Sequence, residues 1–469
     1  MMLSRRQSES MGDGGAPGSV AASRRRTRAR ASAAGRRAPV VAAFLLAAGL
    51  TLLAASCAGP EAETGPVDRK VLVLGIDGLE WDIMGPMMET GRLPNFSRLV
   101  AEGAWGELRS LEYLESPMIW TSISTGKLPA KHGIMGFTAK GGGRGGVVIT
   151  ADAREARTVW DILGEKGRTV GVTNWLVTWP AEPVNGYLVS DYIKFDWRGV
   201  GRKQEDTTYP PDLAEELEDL VVRTEDVPDE RAGEFVVGGL PVADEFENRV
   251  RTLKSCIAVD ETARRIAFHM AETRPTDFTA VYMSGVDYVC HHFWVDAFPG
   301  TGDPVSDRES ELFGEVIERY YQEADSVLGE FLELADENTT VIVTSDHGHS
   351  GPKLRGDKYA IGIAMHDPTG FIALWGKDIA GGRELSEPSV LDITPTLLAL
   401  YGLPVAGDMD GRVLDEAISD EFLARHAVSS VDTYEPDTSG MEEDESESPV
   451  ESPVDDEIKE RLRSLGYIE

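Results

Sequence analysis

The chain has 469 residues, with 46 basic and 80 acidic side chains and a formal net charge of −34. Such an acidic surface repels the phosphate backbone of nucleic acids, so we expect no nucleic-acid binding. Three cysteines in a chain of this length exclude a scaffold built on disulfides. The length fits two or three domain-sized units, or one large α/β domain with insertions.

The first 57 residues have the pattern of an export signal. Nine arginines precede an apolar run from Ala38 to Ala55, and small residues then precede Cys57. A basic region, an apolar region and small residues before the cleavage point make a secretory signal. The end of the run resembles the lipobox of bacterial lipoproteins, in which the cysteine becomes the lipidated first residue. An uncleaved spanning helix is the alternative, because the run is about long enough to cross a bilayer. Both interpretations predict a membrane-tethered protein of the cell envelope or periplasm.

After a linker at residues 58–69, the globular part begins. Val71–Ile76 is continuously apolar, which predicts a buried strand of a parallel sheet. Asp77 and Gly78 follow directly. Ligands of open α/β sheets lie at the carboxyl ends of the strands, so Asp77 is a candidate oxygen ligand for a metal ion. Its alternative role is to cap the next helix.

Ser116 and Pro117 predict the start of a helix that ends at Gly126, with the serine as N-cap and the proline at the first helical position. The amino end of a helix also attracts anions. The Ser116 hydroxyl is therefore either a cap or a nucleophile. His132, in the turn that follows, is interpreted as a packing residue and not as a metal ligand.

Strands and helices then alternate, which predicts an α/β fold with a largely parallel central sheet flanked by helices. The elements are expected at 147–150, 158–166, 168–174, 186–191 and 251–272. Residues 196–250 are highly charged and contain Pro210 and Pro211. We interpret them as an inserted cap that lies outside the sheet and covers the cleft.

Two further strands are followed by metal-ligand residue types. Asp277–Met283 leads to Asp287 and His291, whose spacing of four places both on one face of a helix. Val341–Thr344 leads to Asp346 and His347 on a tight turn, beyond a helix at 311–335. His366 precedes a strand at 371–375. Aspartate oxygens and imidazole nitrogens suit zinc.

The catalytic core is predicted to span residues 70–430 and to close with a helix at 390–403. Residues 431–456 are acidic, polar and partly repeated, a composition typical of a disordered segment. Residues 457–469 predict a short amphipathic helix that can dock back on the core.

This order of motifs resembles that of the alkaline phosphatase superfamily, and within it the type I phosphodiesterase/nucleotide pyrophosphatase branch. The resemblance covers about residues 71–414. It implies a two-metal site with zinc as the usual metal, although manganese would also fit the ligands. It assigns Asp77, Ser116, Asp346 and His347 to one metal. It assigns Asp287, His291 and His366 to the other.

The sequence departs from that branch at three positions, one of which is Cys290, where a glycine usually precedes the ligand histidine. Ser116 stands where the nucleophile is usually threonine, and Phe137 stands where an asparagine often holds a phosphate oxygen. We therefore considered Asn174 and Lys127 as substrate-binding residues. The residues after Ser116 lack the Cys/Ser-x-Pro-x-Arg pattern of sulfatases, which argues against sulfatase activity.

The resulting hypothesis is a phosphohydrolase with a covalent Ser116 intermediate, acting on a small phosphate ester or an envelope substrate. A phosphomonoesterase, a cell-envelope phosphotransferase and a non-catalytic metal-stabilised binding protein remain as alternatives. The membrane would be contacted only through the N-terminal anchor.

Overall fold

A computed structural model describes residues 65–139, 147–195, 204–241, 244–301, 305–351, 354–355, 358–359, 365–437 and 454–464. The predicted signal, the linker as far as residue 64 and Cys57 lie outside these residues and stay predictions. Within the described ranges, no helix is long and apolar enough to cross a bilayer. Cys256 and Cys290 are buried thiols that form no disulfide.

The central sheet has nine strands, in the spatial order β9-β2-β8-β7-β1-β6-β3-β4-β5. In chain order these strands are β1 (Lys70–Ile76), β2 (Ala104–Arg109), β3 (Val170–Thr173), β4 (Gly186–Val189), β5 (Thr208–Tyr209), β6 (Phe278–Met283), β7 (Thr339–Thr344), β8 (Thr369–Gly376) and β9 (Arg383–Glu384). Only β5 and β8 run opposite to the other strands of this sheet. The largely parallel α/β fold predicted from the sequence is confirmed.

Helices pack on both faces of the sheet. They are α1 (Trp81–Glu89), α2 (Pro94–Glu102), α3 (Ser116–Thr125), α4 (Pro129–His132), α5 (Val159–Glu165), α6 (Leu213–Leu217), α7 (Asp229–Gly233), α8 (Glu247–Thr273), α9 (Gly285–Ala297), α10 (Asp307–Phe313), α11 (Val316–Glu333), α12 (Ile393–Leu400), α13 (Asp420–Arg425) and α14 (Asp455–Ser464).

The apolar run of β1 is explained by its central position in the sheet. Side chains of a strand alternate between the two faces. Leu72 and Leu74 enter one core, together with residues of α2, α9 and α11. Val71 and Val73 enter the other core, with residues of α3, α5 and α12. Because both faces are covered, every position from Val71 to Ile76 must be apolar or small.

The strand register brings the predicted ligand positions to one edge. Ile76 pairs with Met283, and Gly75 pairs with Thr344, so β1, β6 and β7 end at the same level. Strand β8 is antiparallel to β7 and therefore begins near that edge. His366, which precedes β8, reaches the site for this reason.

Two expectations about the periphery need correction. In the described part of the predicted insertion, Thr208–Tyr209 pairs with β4 and so belongs to the sheet. Val227, Phe235 and Phe246 pack into the core on the α8 and α11 side, and the described insertion residues do not line the cavity at Ser116. The described residues of the insertion therefore do not cover the cleft.

The start of the tail is also more ordered than its composition suggested. Ser430–Val431 pairs with Val405–Ala406, and the Glu435 carboxylate accepts a hydrogen bond from Lys127 Nζ at 2.7 Å. An isolated polar segment cannot compensate the conformational entropy that it loses on becoming ordered. These contacts compensate part of that loss.

Candidate metal and phosphoryl-transfer site

The first set of ligands consists of Asp77, Asp346 and His347, which we call the two-aspartate group. Asp77 Oδ1 lies 3.3 Å from His347 Nε2, and Asp346 Oδ2 lies 3.4 Å from the same nitrogen. Both carboxylate oxygens are buried and, among the described residues, have no hydrogen-bond partner. An uncompensated buried carboxylate oxygen is costly, so this geometry fits a cation among the three side chains.

The other oxygens of the two aspartates are held by the fold. Asp77 Oδ2 accepts hydrogen bonds from Trp120 Nε1 at 3.2 Å and from the Tyr282 hydroxyl at 2.5 Å. Asp346 Oδ1 accepts from the Gly78 backbone N–H at 3.4 Å. Each carboxylate is thus oriented by one oxygen, which leaves the second oxygen directed at His347.

The second set is Asp287 with His291, His349 and His366, which we call the three-histidine group. Asp287 and His291 lie one turn apart in α9, as their spacing predicted. Asp287 Oδ1 lies 3.2 Å from His291 Nε2, 3.0 Å from His349 Nε2 and 3.5 Å from His366 Nε2. Three imidazole nitrogens and one carboxylate oxygen are a suitable donor set for tetrahedral zinc.

Backbone carbonyl groups fix the tautomers of three histidines. Nδ1 of His347 donates to Gly348 O at 3.0 Å, Nδ1 of His349 to Gly78 O at 3.0 Å, and Nδ1 of His366 to Leu114 O at 2.8 Å. A carbonyl only accepts, so Nδ1 must carry the proton in each ring. The Nε2 lone pairs are then available for a metal.

His349 is the ligand candidate that the sequence analysis missed. It lies on the short strand Gly348–Ser350, directly opposite His366 on the strand Met365–Asp367. The signal was present, since His349 is two residues beyond His347, and alternate residues of an extended segment share a side. Gly78 has a φ of 75°, and a Cβ there would lie 2.2 Å from His349 Cε1, so the turn after Asp77 must be glycine.

Ligand atoms of Asp77, Asp346 and His347 lie within 4.8 Å of one another. The same is true of Asp287, His347, His349 and His366, so His347 lies within reach of both groups. Together these residues fit two divalent cations, with Asp77 Oδ1 and Asp346 Oδ2 as the buried oxygens that such a cation would satisfy.

The two groups differ in electrostatics. Burial, together with repulsion by Asp346 and Asp287, raises the pKa of Asp77 well above its usual value. Burial raises the pKa of Asp346 to about 7. Burial acts in the same direction on Asp287, but its neighbouring histidines outweigh it and hold that pKa well below the usual value. Burial lowers the pKa of His347, which favours the neutral, metal-binding ring.

Ser116 is buried at the start of α3, and its hydroxyl lies 3.5 Å from His347 Nε2. The helix begins one residue earlier than predicted, because Glu115 is the N-cap and makes no side-chain bond to the helix. Ser116 is therefore the first helical residue. Its hydroxyl is directed at the two-aspartate group, which supports the nucleophile interpretation over the capping one.

Neither proposed substrate-binding residue is among the described residues that line the cavity beside Ser116, and both assignments stay predictions. Asn174 donates its side-chain amide to Tyr282 O at 2.9 Å. Lys127 forms ion pairs with Asp408 and Glu435, since these acidic residues surround it on the far side of α3. His132 lies 2.9 Å from the Ser122 hydroxyl and packs beneath α3, as predicted.

The cavity beside Ser116 has polar and apolar sides. Asp77, Ser116 and Asp287 form its floor, and Asp191 and Lys194 add charged groups. Lys194 is the single cationic residue among the described residues of the lining. The remaining lining is mostly apolar or aromatic: Pro117, Phe137, Val148, Ile149, Leu176, Val177, Tyr192, Phe195, Tyr282, Tyr288, Ile458 and Leu462.

Comparison with known proteins agrees with this geometry. Residues 71–366, more than half of the chain, match the model of the type I phosphodiesterase / nucleotide pyrophosphatase family. The chain belongs to that family. The family places it among hydrolases of the alkaline phosphatase superfamily that act on phosphate esters. No curated protein matches the chain.

Solved structures with a similar fold share little sequence with this family member. Wild-type alkaline phosphatase PafA is 13% identical with a TM-score of 0.47, covering 76% of this chain and 100% of its own. Human ectonucleotide pyrophosphatase / phosphodiesterase 5 is 12% identical with a TM-score of 0.41, covering 71% and 95%. A sulfatase from Bacteroides thetaiotaomicron, described as putative, is 13% identical with a TM-score of 0.46, covering 78% and 76%.

Proposed function

We propose that this family member is a metal-dependent phosphohydrolase that cleaves phosphate esters through a covalent Ser116 intermediate. The observation that carries the proposal is the position of the Ser116 hydroxyl. It is buried, it does not cap α3, and it lies 3.5 Å from His347 Nε2 at the floor of a cavity. Family membership supports the choice of a phosphate ester as substrate.

Two divalent cations, held by the two-aspartate and three-histidine groups, would neutralise phosphoryl oxygens and lower the pKa of the serine hydroxyl. The residues of the chain orient the ligands and the phosphoryl group. Trp120 and Tyr282 fix Asp77, and the amino end of α3 offers a favourable electrostatic environment to a phosphoryl group. Lys194 lines the same cavity, so it can pair with a phosphoryl oxygen.

The reaction then proceeds in two displacements. Ser116 Oγ attacks phosphorus, the bond from phosphorus to the ester oxygen breaks, and the alcohol leaves with a proton. Water next attacks phosphorus, the bond to Ser116 Oγ breaks, and the serine recovers its proton as the phosphate product leaves. Splitting one difficult displacement into two easier ones is the usual advantage of a covalent intermediate.

The test compares Ser116→Ala with Ser124→Ala, using aryl phosphate mono- and diesters and supplied zinc or manganese. Ser124 lies on the same helix, is buried and, within the described part of the chain, donates its hydroxyl to the Thr121 carbonyl alone, so its variant is a matched control. We expect Ser116→Ala to lose about 10³-fold or more of turnover, because the nucleophile is gone. The Ser124 variant should stay close to the unaltered protein.

Trapping the intermediate gives a second, independent measurement. Acid quenching during turnover should leave a phosphorylated peptide that contains Ser116, detected by mass spectrometry. Undiminished turnover by folded Ser116→Ala protein would remove this serine from the mechanism. No turnover of any phosphate ester by the metal-loaded, unaltered protein would refute the proposed function.

A further inference from the structure

The C-terminal helix α14 packs against the mouth of the cavity. Ile458 and Leu462 are buried on one face of the helix, because they are four residues apart, and Val454, just before the helix, is buried as well. They join one apolar cluster with Val148, Trp179, Tyr192 and Phe195, and Phe137 packs against it. The opposite face is polar, with Asp456 and Glu460 exposed.

This helix contributes directly to the wall of the reaction cavity. Ile458 and Leu462 line the same cavity as Ser116 and Asp77. Thus α14 lines the same cavity as Ser116, although the two are more than 300 residues apart in the sequence. The described insertion residues, which the sequence suggested as the cover, are absent from this lining.

The part of the cavity wall that packs against α14 is largely aromatic. The rings of Trp179 and Tyr192 stack with centroids 4.9 Å apart, and Tyr192 meets Phe195 edge-on at 5.4 Å. The Phe137 backbone N–H donates to Glu115 at 3.0 Å, which ties this part of the wall to the start of α3. Such an arrangement presents a preformed apolar surface next to the phosphoryl position.

We propose that α14 and this aromatic wall form a subsite for an apolar group, an aryl ring or an alkyl chain, carried by the phosphoryl group of the substrate. The inference rests on the proposed function and names its substrate class. A phosphoryl group beside Ser116 places its substituent in the cavity, where each buried methylene tightens binding by roughly fourfold. A polar substituent there would lose hydrogen bonds to water.

Direct binding tests the subsite without relying on turnover. Methyl-, butyl- and phenylphosphonate carry a carbon–phosphorus bond that the proposed reaction does not cleave. Their dissociation constants are measured by calorimetry on the full-length, zinc-loaded protein. We expect butyl- and phenylphosphonate to bind about tenfold or more tightly than methylphosphonate. The ratio between butyl and phenyl shows whether the subsite prefers alkyl or aryl groups.

The contribution of α14 is tested with Ile458→Asp and Leu462→Asp. The matched control is Glu460→Asp, which places the same residue on the exposed face of the same helix. We expect both apolar-face variants to reduce the preference over methylphosphonate to less than about threefold. The control variant should keep the preference of the unaltered protein.

Two results would overturn the inference: equal affinity of the unaltered protein for all three phosphonates, or a preference that survives both aspartate substitutions. A parallel turnover assay with methyl, butyl and phenyl phosphate esters separates it from the proposed function. Turnover without a preference refutes the subsite alone. A preference in binding without any turnover refutes the hydrolase proposal alone.

Discussion

The two ligand groups lie side by side, yet they are built differently. The two-aspartate group combines two carboxylates with His347 and takes its residues from the ends of β1 and β7. The three-histidine group combines one carboxylate with three imidazoles, from α9 and a pair of short antiparallel strands. In the first group burial and like charge raise the carboxyl pKa values, and in the second neighbouring histidines lower the pKa of Asp287.

This difference predicts that the two groups prefer different metal ions and have different roles. Oxygen-rich groups accept hard cations such as manganese, whereas imidazole-rich groups favour zinc. Ser116 faces the two-aspartate group through its contact with His347. That group should therefore govern the nucleophile, while the three-histidine group should retain zinc most strongly. The following changes test this contrast, beginning with the largest expected effect.

Replacing Asp346 with Asn should remove the metal of the two-aspartate group while leaving the other. The amide keeps the shape but loses the charge that binds a cation. We expect a loss of one metal equivalent per chain and of about 10³-fold or more in turnover. Metal content after dialysis is measured by mass spectrometry. Retention of two equivalents with full turnover would contradict the assignment.

Replacing His349 with Ala should have a smaller and more selective effect. One of four candidate donors of the three-histidine group is lost, so zinc affinity at that group should fall about 10- to 100-fold. Competition with a zinc chelator measures this affinity. Metal binding at the two-aspartate group should be unaffected. His269→Ala is the control, because His269 pairs with Glu216 at the surface. An unchanged zinc affinity would show that His349 only supports its neighbours.

Replacing Asp260 with Asn should change how the free energy of unfolding depends on pH and should leave both metals bound. Burial raises the pKa of Asp260 to about 7, although its carboxylate accepts hydrogen bonds from Ser284 N and Gly285 N at the start of α9. The unfolded chain releases this proton near pH 4, while the folded protein keeps it to about pH 7. The free energy of unfolding of the unaltered protein should therefore fall across that window, relative to the Asn variant.

Between pH 5 and pH 8 the free energy of unfolding of the unaltered protein should fall by about 3 kcal/mol relative to that of the Asn variant. Denaturant unfolding at pH 5 and pH 8 measures it, and metal content provides the comparison with Asp346→Asn. A difference independent of pH would mean that Asp260 ionises in the folded state as it does in the unfolded chain. Loss of metal from the Asp260→Asn variant would mean that Asp260 does not differ from the ligand Asp346 in the way proposed.

Much of the site was predictable from local sequence. Asp77 and Asp346 follow continuous apolar runs, and such runs occur where a strand is covered on both faces. Asp287 and His291 were predicted from a spacing of four, and the helix α9 confirms that geometry. The positions of these residues could be inferred because each depends on only a few neighbouring residues and on the rule that parallel strands end together.

Other features were beyond local patterns. His349 required the pairing of two short strands, and the hydrogen-bond and ion-pair partners of Asn174 and Lys127 lie more than 100 residues away. The apolar wall combines Phe137, Tyr192 and Phe195 with α14, whose composition alone showed only an amphipathic helix. The sequence determined the fold class and the chemical type of the ligands, because periodicity and residue chemistry are local properties. Which side chains share the cavity was decided by tertiary packing, because that depends on how distant segments bury their apolar faces against one another.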